Sequence, residues 1–340
     1  MHTVAGASMS RTRRSVTFAH RVERMLRADS FEVIHAVSPC GYADLYQPRG
    51  GTVAETIERN LALRRPGAVR GLKRYANHFN VKQRYMLKLE RKLLGDRDGP
   101  IVVAISGYVA RQLKHHYALP DERIRTIFNG VDIDSTGAER RERDRASIRA
   151  EFGLHDDDFL VLLMAHNFSL KGVHCWMEAA ALLRERGVHN LRTLVLGRGE
   201  SQRWHRLAAH LGIAEVLTFV GPTERVHEFQ HAADVLVHPT FYDPCSRVVL
   251  EAMVSGLPCV TTRWDGAAEM IVDGVNGYVL NDPGDVEALA ERVDGLRDAT
   301  HRHRLGDAAK TVADRVSMKR HAVEMLRLYQ ELRREARARR

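Results

Sequence analysis

The sequence predicts an α/β fold of two domains, each built on a parallel sheet, and three observations carry that expectation. A chain of 340 residues is long enough for two separate cores. From Phe159 onward, short apolar runs alternate without a gap with stretches of helical spacing, the pattern of strands joined by crossover helices. The stretch from Ala233 to Arg263 holds a whole unit of that kind: a buried strand, a loop, a helix with one apolar face and a second strand.

Composition narrows the class. An apolar fraction of 44% and a mean hydropathy of −0.33 describe an ordinary water-exposed globular chain. No apolar run approaches the ~20 residues that a spanning helix needs. Met1 to Ser10 lacks the apolar core of a secretory signal. Cys40, Cys175, Cys245 and Cys259 lie far apart without a C-x-x-C pair, so neither a zinc site nor a disulfide framework is indicated. A reducing, cytoplasmic setting is expected. The formal net charge of +9 calls for an anionic partner or surface: nucleic acid, lipid or small substrates. Eleven Lys and Arg fall between Arg59 and Lys92 against one acid, Glu90, with apolar and aromatic residues interleaved. A solvated helical face and a lipid-docking face both account for that stretch.

Taken in order, Arg13 to Arg27 has helical spacing, and Phe31 to Val37 reads as a strand. Ser38 to Gly51 reads as a loop, with Gly50-Gly51 fit either for a plain turn or for close approach of backbone to a ligand. The basic stretch follows as one or two helices. Ile101 to Ile105 is a buried strand, Ser106 caps a helix over Gly107 to Tyr117, and Arg123 to Phe128 is another strand. Glu139 to Arg149 is a charge-rich connecting helix. Only about three clear strands emerge from this half.

In the second half the expected strands are Phe159 to Ala165, Leu191 to Leu196, Val216 to Val220, Val235 to Val237, Cys259 to Thr262 and Gly277 to Leu280. Helices over Gly172 to Arg186, Gln202 to Leu211 and Glu224 to Ala232 separate the first four. After Asp285 the chain is helical to its end. Ligands in such sheets bind beyond the carboxyl ends of the strands, where Asp243, Lys171 and Gly197 fall. The expected domains are residues 1–140 and 150–317, with 318–340 a carboxy-terminal helix.

A helix opening near Cys245 offers unpaired amides and positive dipole to a phosphate or diphosphate. Asp243 at that mouth would repel such a ligand, and Glu251 lies about two turns further along. A nucleotide sugar resolves the conflict, one acid holding sugar hydroxyls and the other the ribose. Equally, Asp243 is a helix cap and Glu251 a surface acid. The stretch resembles the acidic motif of retaining glycosyltransferases of the GT-B architecture, the group 1 or family 4 type to which lipopolysaccharide core glucosyltransferases belong. That motif is Glu, seven residues, Glu; here Asp243 takes the first place, and Pro244 and Ser246 stand where glycine is frequent. Asn129-Gly130-Val131-Asp132, Gly266 to Glu269 and Asp273 to Gly277 also resemble family segments.

The resemblance implies two facing Rossmann-like domains, the first incomplete here by roughly sixty residues, with the last helix crossing back onto it. By the same resemblance Asp243 holds the donor sugar, Glu251 the ribose, and Val220 and Gly221 flank the base. Cys245, Ser246, Arg247 and Val248 surround the diphosphate, Ser246 being otherwise a helix cap. Lys171 stands before Gly172 at a helix start, where a cation is unfavourable, and supplies positive charge to the leaving diphosphate. The family often places an arginine beside this lysine, where this chain has Leu170. Asp44, Gly50 and Gly51 are candidates for the acceptor side, Asp44 being equally a loop cap. No metal and no cofactor beyond the nucleotide-sugar substrate is implied, and His238 reads as a strand terminator.

The expected function is therefore transfer of a hexose from a UDP-glucose type donor to a glycolipid or lipopolysaccharide-core acceptor, with Arg59 to Lys92 docking on an anionic membrane. A sugar-nucleotide 2-epimerase on the same fold and a basic nucleic-acid-binding protein are the alternatives. Against the latter, no aromatic stacking platform is visible.

Overall fold

The computed structural model describes residues 31–63, 80–133, 136–199 and 202–338, together with Thr17, Arg21, Val22, Arg24 and Met25. The expected helix over Arg13 to Arg27 lies largely outside the described residues, as does the middle of the basic stretch, 64–79. The chain divides into two compact units, residues 1–128 with 321–340, and residues 129–320.

The first unit carries a small parallel sheet of four strands among the described residues, in the order β1 (His35–Ala36), β2 (Leu45–Tyr46), β3 (Ile101–Ala104) and β4 (Ile124–Thr126). Two corrections to the sequence reading apply. The ladder of β1 is only two residues long, not the run from Phe31 to Val37, and β2 falls inside what read as a loop. Leu45 and Tyr46 are fully buried, but a strand of two residues has no alternation to display. Helices α1 (Val53–Ala62), α2 (Val81–Gly95) and α3 (Gly107–Tyr117) complete the connections, the last capped by the Ser106 hydroxyl on the Val109 amide at 3.2 Å. α4 (Ala138–Glu151) opens the second unit.

The second unit is a six-stranded parallel sheet, β5 (Phe159–Met164), β6 (Leu191–Leu196), β7 (Leu217–Gly221), β8 (Val235–His238), β9 (Cys259–Thr262) and β10 (Tyr278–Leu280). α5 (Val173–Glu185), α6 (Gln202–His210), α7 (Val226–Ala232) and α8 (Arg247–Ser255) link the strands. All six residues of β5 are buried, as a central strand covered on both faces requires. Its core gathers Val161, Leu163, Val195, Val235 and Val237 of the sheet with Trp176, Met177 and Ala180 of α5. Trp176 finds a partner even there, Nε1 donating to the Thr193 hydroxyl at 3.1 Å.

Beyond β10 follow α9 (Val286–Gly295), α10 (Ala299–Lys310), α11 (Ala313–Val316) and α12 (Met318–Ala338). From His321 on, α12 belongs to the first unit, where Met325 and Leu328 pack with Leu45, Val103 and Ile127. Tyr329 meets Nδ1 of His35 through its hydroxyl at 2.8 Å. Among the described residues no helix is long and apolar enough to cross a membrane.

Candidate active site

The strand order β10-β9-β8-β5-β6-β7 sets where a ligand can enter the second unit. The chain builds outward in one direction from β5 and in the other from β8, so the connections leaving their carboxyl ends diverge and open a crevice. A cleft of about 370 Å³ lies there, lined from the β5 end by Met164, Ala165 and Lys171, from the β6 end by Gly197 and from the β8 side by His238 and Asp243. Ser246, Arg247, Val248 and Glu251 at the start of α8 close it.

Glycine allows the loops to come this close. Gly172 has φ of +66°, and a Cβ there would stand 2.0 Å from the carbonyl oxygen of Pro239. Gly197 has φ of +114°, with the Ala165 carbonyl oxygen 1.9 Å from where a Cβ would be. The first contact carries Lys171 onto the β8 side. Its Nζ donates to Oδ2 of Asp243 at 2.5 Å and to the Tyr242 carbonyl at 3.1 Å.

Asp243 is fixed from several directions. Its amide donates to the Trp264 carbonyl and its carbonyl accepts from the Gly266 amide, both at 2.9 Å. Nε2 of His238 lies 3.3 Å from Oδ2, and the Cys245 amide donates to Oδ1 at 3.3 Å. Burial works against the charge, but the Lys171 ammonium and the His238 ring overcome it and hold the Asp243 carboxyl well below the usual range.

Glu251 sits deeper along α8 with its side chain 17% exposed, and Arg247, one turn earlier, approaches it at 3.2 Å. Burial raises the Glu251 carboxyl, with Arg247 and His227 pulling the other way. Ser246 holds the position before α8, yet its hydroxyl makes no capping bond and is buried without a partner among the described residues. Its amide is engaged instead by Oδ1 of Asp265 at 3.0 Å. Of the amides from Cys245 to Val248, the first two are thus committed inside the protein. Those of Arg247 and Val248, in the first turn, have no intrahelical acceptor.

The structure therefore brings Lys171, Asp243, Ser246, Arg247, Val248 and Glu251 to one cleft. Cys245 is beside it but buried, its carbonyl accepting from Asn129 at 3.0 Å. Val220 and Gly221 end β7 just before Pro222 and Thr223, which do line the cleft. Asp44, in the other unit, accepts the Ile34 amide and the Tyr42 hydroxyl, each at 2.7 Å, the work of a loop cap. The Gly51 amide closes a turn onto the Pro48 carbonyl at 2.9 Å, with Gly50 inside that turn. Glu55, Glu58 and His116 in the first unit bring metal-type ligand atoms within 4.8 Å of one another, but Glu55 and His116 are already bonded directly at 2.8 Å.

Three residues escaped the sequence reading. His238 is more than a strand terminator: its ring reaches Asp243 and lines the cleft. His166 lines the cleft as well, and Asp265 lies buried beneath it. Each stands just past or at the carboxyl end of an apolar strand, a position that was a usable signal.

Comparison with known proteins settles the family. Residues 144–312 match the model of glycosyl transferases group 1, and residues 1–135 that of glycosyltransferase family 4. The chain belongs to the GT-B glycosyltransferases. It is 28% identical over 219 residues to the lipopolysaccharide glucosyltransferase WaaG of Escherichia coli K12, covering 64% of this chain and 59% of that one. D-inositol 3-phosphate glycosyltransferase 2 of Catenulispora acidiphila is 33% identical over 214 residues, 59% of this chain and 48% of its own. The chain thus spans between about half and three fifths of these curated relatives. A crystal structure of WaaG superposes with a TM-score of 0.78 at 23% identity, covering 92% of this chain and 82% of that one. Anabaena HepE in complex with UDP-glucose gives 0.66 at 20% identity, covering 84% and 72%. The fold is the α/β GT-B fold.

Proposed function

We propose that this protein is a retaining glycosyltransferase that moves a hexose from a nucleoside-diphosphate sugar, of the UDP-glucose type, to a glycolipid or lipopolysaccharide-core acceptor. One observation carries the reading: Lys171, Asp243 and Glu251 line a single cleft at the switch point of the second sheet. Breaking the bond between the anomeric carbon and the diphosphate leaves negative charge on the departing phosphate while the sugar becomes cationic. An ammonium has three N–H donors, so Lys171 can hold Asp243 and Tyr242 and still meet a phosphate oxygen. The Arg247 and Val248 amides with the α8 dipole add to that charge. Asp243, kept ionised, accepts from the sugar hydroxyls, and Glu251 accepts from the ribose. HepE, a protein of the same fold, is known in complex with UDP-glucose, and WaaG is a lipopolysaccharide glucosyltransferase, which favours this donor and acceptor class.

Calorimetric titration with UDP tests the reading directly. Micromolar binding that is lost on Glu251→Ala supports it, and failure of UDP, GDP and ADP alike to bind the wild-type chain overturns it. Product analysis with labelled UDP-glucose separates a transferred glycoside from an epimerised donor. On the acceptor side, α2 exposes Lys82, Arg84, Lys88, Arg91 and Lys92, a charge pattern suited to an anionic lipid surface from the cytoplasmic side. Co-sedimentation with phosphatidylglycerol vesicles, absent with phosphatidylcholine, is the expected result.

A further inference from the structure

Beneath the cleft, and not lining it, lies a carboxylate that the donor-binding reading leaves unused. Asp265 follows β9 and is 1% exposed. Its Oδ1 accepts two amides, from Ser246 at 3.0 Å and from Ala267 at 2.9 Å, and its Oδ2 accepts the Thr261 hydroxyl at 3.0 Å. The backbone on either side of it bonds to Asp243, through the Trp264 carbonyl and the Gly266 amide. The Asp265 side chain therefore ties the residue before α8 to the turn Gly266–Met270, and the backbone on either side of it ties in the acid at the cleft mouth.

We propose that Asp265 is a positioning residue for the diphosphate: it holds the start of α8 and the Asp243 loop in register from below, and its uncharged form is the one that favours the bound donor. The proposal rests on the nucleotide-sugar reading of the cleft. Its first half follows from connectivity. The Ser246 hydroxyl does not cap α8, so the register of the Arg247 and Val248 amides depends on the bond from Ser246 N–H to Asp265. Withdrawing that amide also leaves the phosphate to the two amides that follow.

The second half follows from charge. A diphosphate entering at α8 brings negative charge to a corner that already holds Asp243, and Asp265 adds a second carboxylate underneath. The groups that face Asp265 are Asp243 from the loop, His238 from β8, Cys259 within β9 and Cys245 before α8, with Lys171 reaching it through Asp243. Burial, and then the Asp243 charge, push its carboxyl up to about 6, with His238 and the Ser246 and Ala267 amides opposing. Asp243 is held ionised by Lys171, so the proton taken up on donor binding resides on Asp265.

Asp265→Asn separates geometry from charge, because its carbonyl oxygen still accepts both amides while the charge is gone. UDP affinity measured from pH 5 to 8 on wild type, Asp265→Asn and Asp265→Ala is the test. Wild-type affinity is expected to fall by roughly tenfold more than that of Asp265→Asn as the pH rises through 6, and at pH 8 Asp265→Asn binds more tightly than wild type. Asp265→Ala, which loses both amide bonds, binds at least tenfold more weakly than Asp265→Asn at every pH. Parallel wild-type and Asp265→Asn profiles overturn the charge role, and equal affinities of the Asn and Ala variants overturn the positioning role. If wild type binds no nucleoside diphosphate, the reading of the cleft itself fails, a result distinct from either.

Discussion

Nζ of Lys171 and Oδ2 of Asp243 stand 2.5 Å apart, although 72 positions separate the two residues in the chain. The contact spans the topological switch point, joining the loop after β5 to the loop after β8. Under the proposed function it places positive charge where a diphosphate would depart, with the acid beside it.

Lys171→Met removes that charge while keeping much of the volume. The expected loss in kcat is about 10²- to 10³-fold, the range seen when one preorganised donor to developing charge is deleted. The variant also leaves Asp243 buried without its cation, so the Asp243 carboxyl moves up. Activity that needs Asp243 ionised then falls on the acid side at a higher pH than in wild type. A pH profile of kcat/KM shows this as a displaced acid limb.

Glu251 lies one turn along α8 and, in the proposed reading, accepts from the ribose. Glu251→Gln replaces a charge-assisted bond, which contributes about 1.5–3 kcal/mol, so UDP affinity is expected to fall roughly 10- to 100-fold. Pyrophosphate, which has no ribose, should bind the variant and wild type alike. Calorimetry with the two ligands separates these outcomes.

Gly172→Ala tests the loop geometry. A non-glycine residue in the left-handed region costs about 1 kcal/mol or more, and here the new Cβ also meets the Pro239 backbone at 2.0 Å. Backbone cannot swing aside as a flexible side chain can, so the β5–α5 loop must retreat from β8. The expected result is a loss of about 2–4 kcal/mol in urea unfolding, with donor affinity reduced because Lys171 retreats as well.

The second unit was legible because its signals are local. Leu191–Leu196 and Cys259–Thr262 coincide with the strands expected from their apolar runs, and Lys171 and Asp243 sit where strand ends must lead. The first unit was harder to read, since β1 and β2 have two residues each and exist only through pairing with neighbours. Asp265 and His238 escaped for a similar reason. A buried aspartate just past one strand looks like a turn residue until the pairing of β8 with β9 brings it to the start of the preceding helix, α8.

Glu90 shows the same limit and leads to a prediction of its own. In the sequence it is the lone acid of a basic stretch and would pass for a solvated helix residue. In the structure it is fully buried, accepting from the Tyr46 hydroxyl at 2.8 Å, the Val53 amide at 2.7 Å and the Tyr117 hydroxyl. These bonds join β2, α1, α2 and α3. Glu90→Gln offers one acceptor oxygen in place of two, so the Tyr46 hydroxyl loses its acceptor and must turn to accept from the new amide. The expected cost is about 1–3 kcal/mol. Burial raises the Glu90 carboxyl despite those bonds. Between the ordinary glutamate value and the raised one, the folded chain holds a proton that the unfolded chain has released. Stability from this group is thus full below the ordinary value and is lost as pH rises through the folded one. Denaturant titrations across that range should show wild-type stability falling with pH more steeply than that of Glu90→Gln, and a difference independent of pH would mean that Glu90 is ionised throughout.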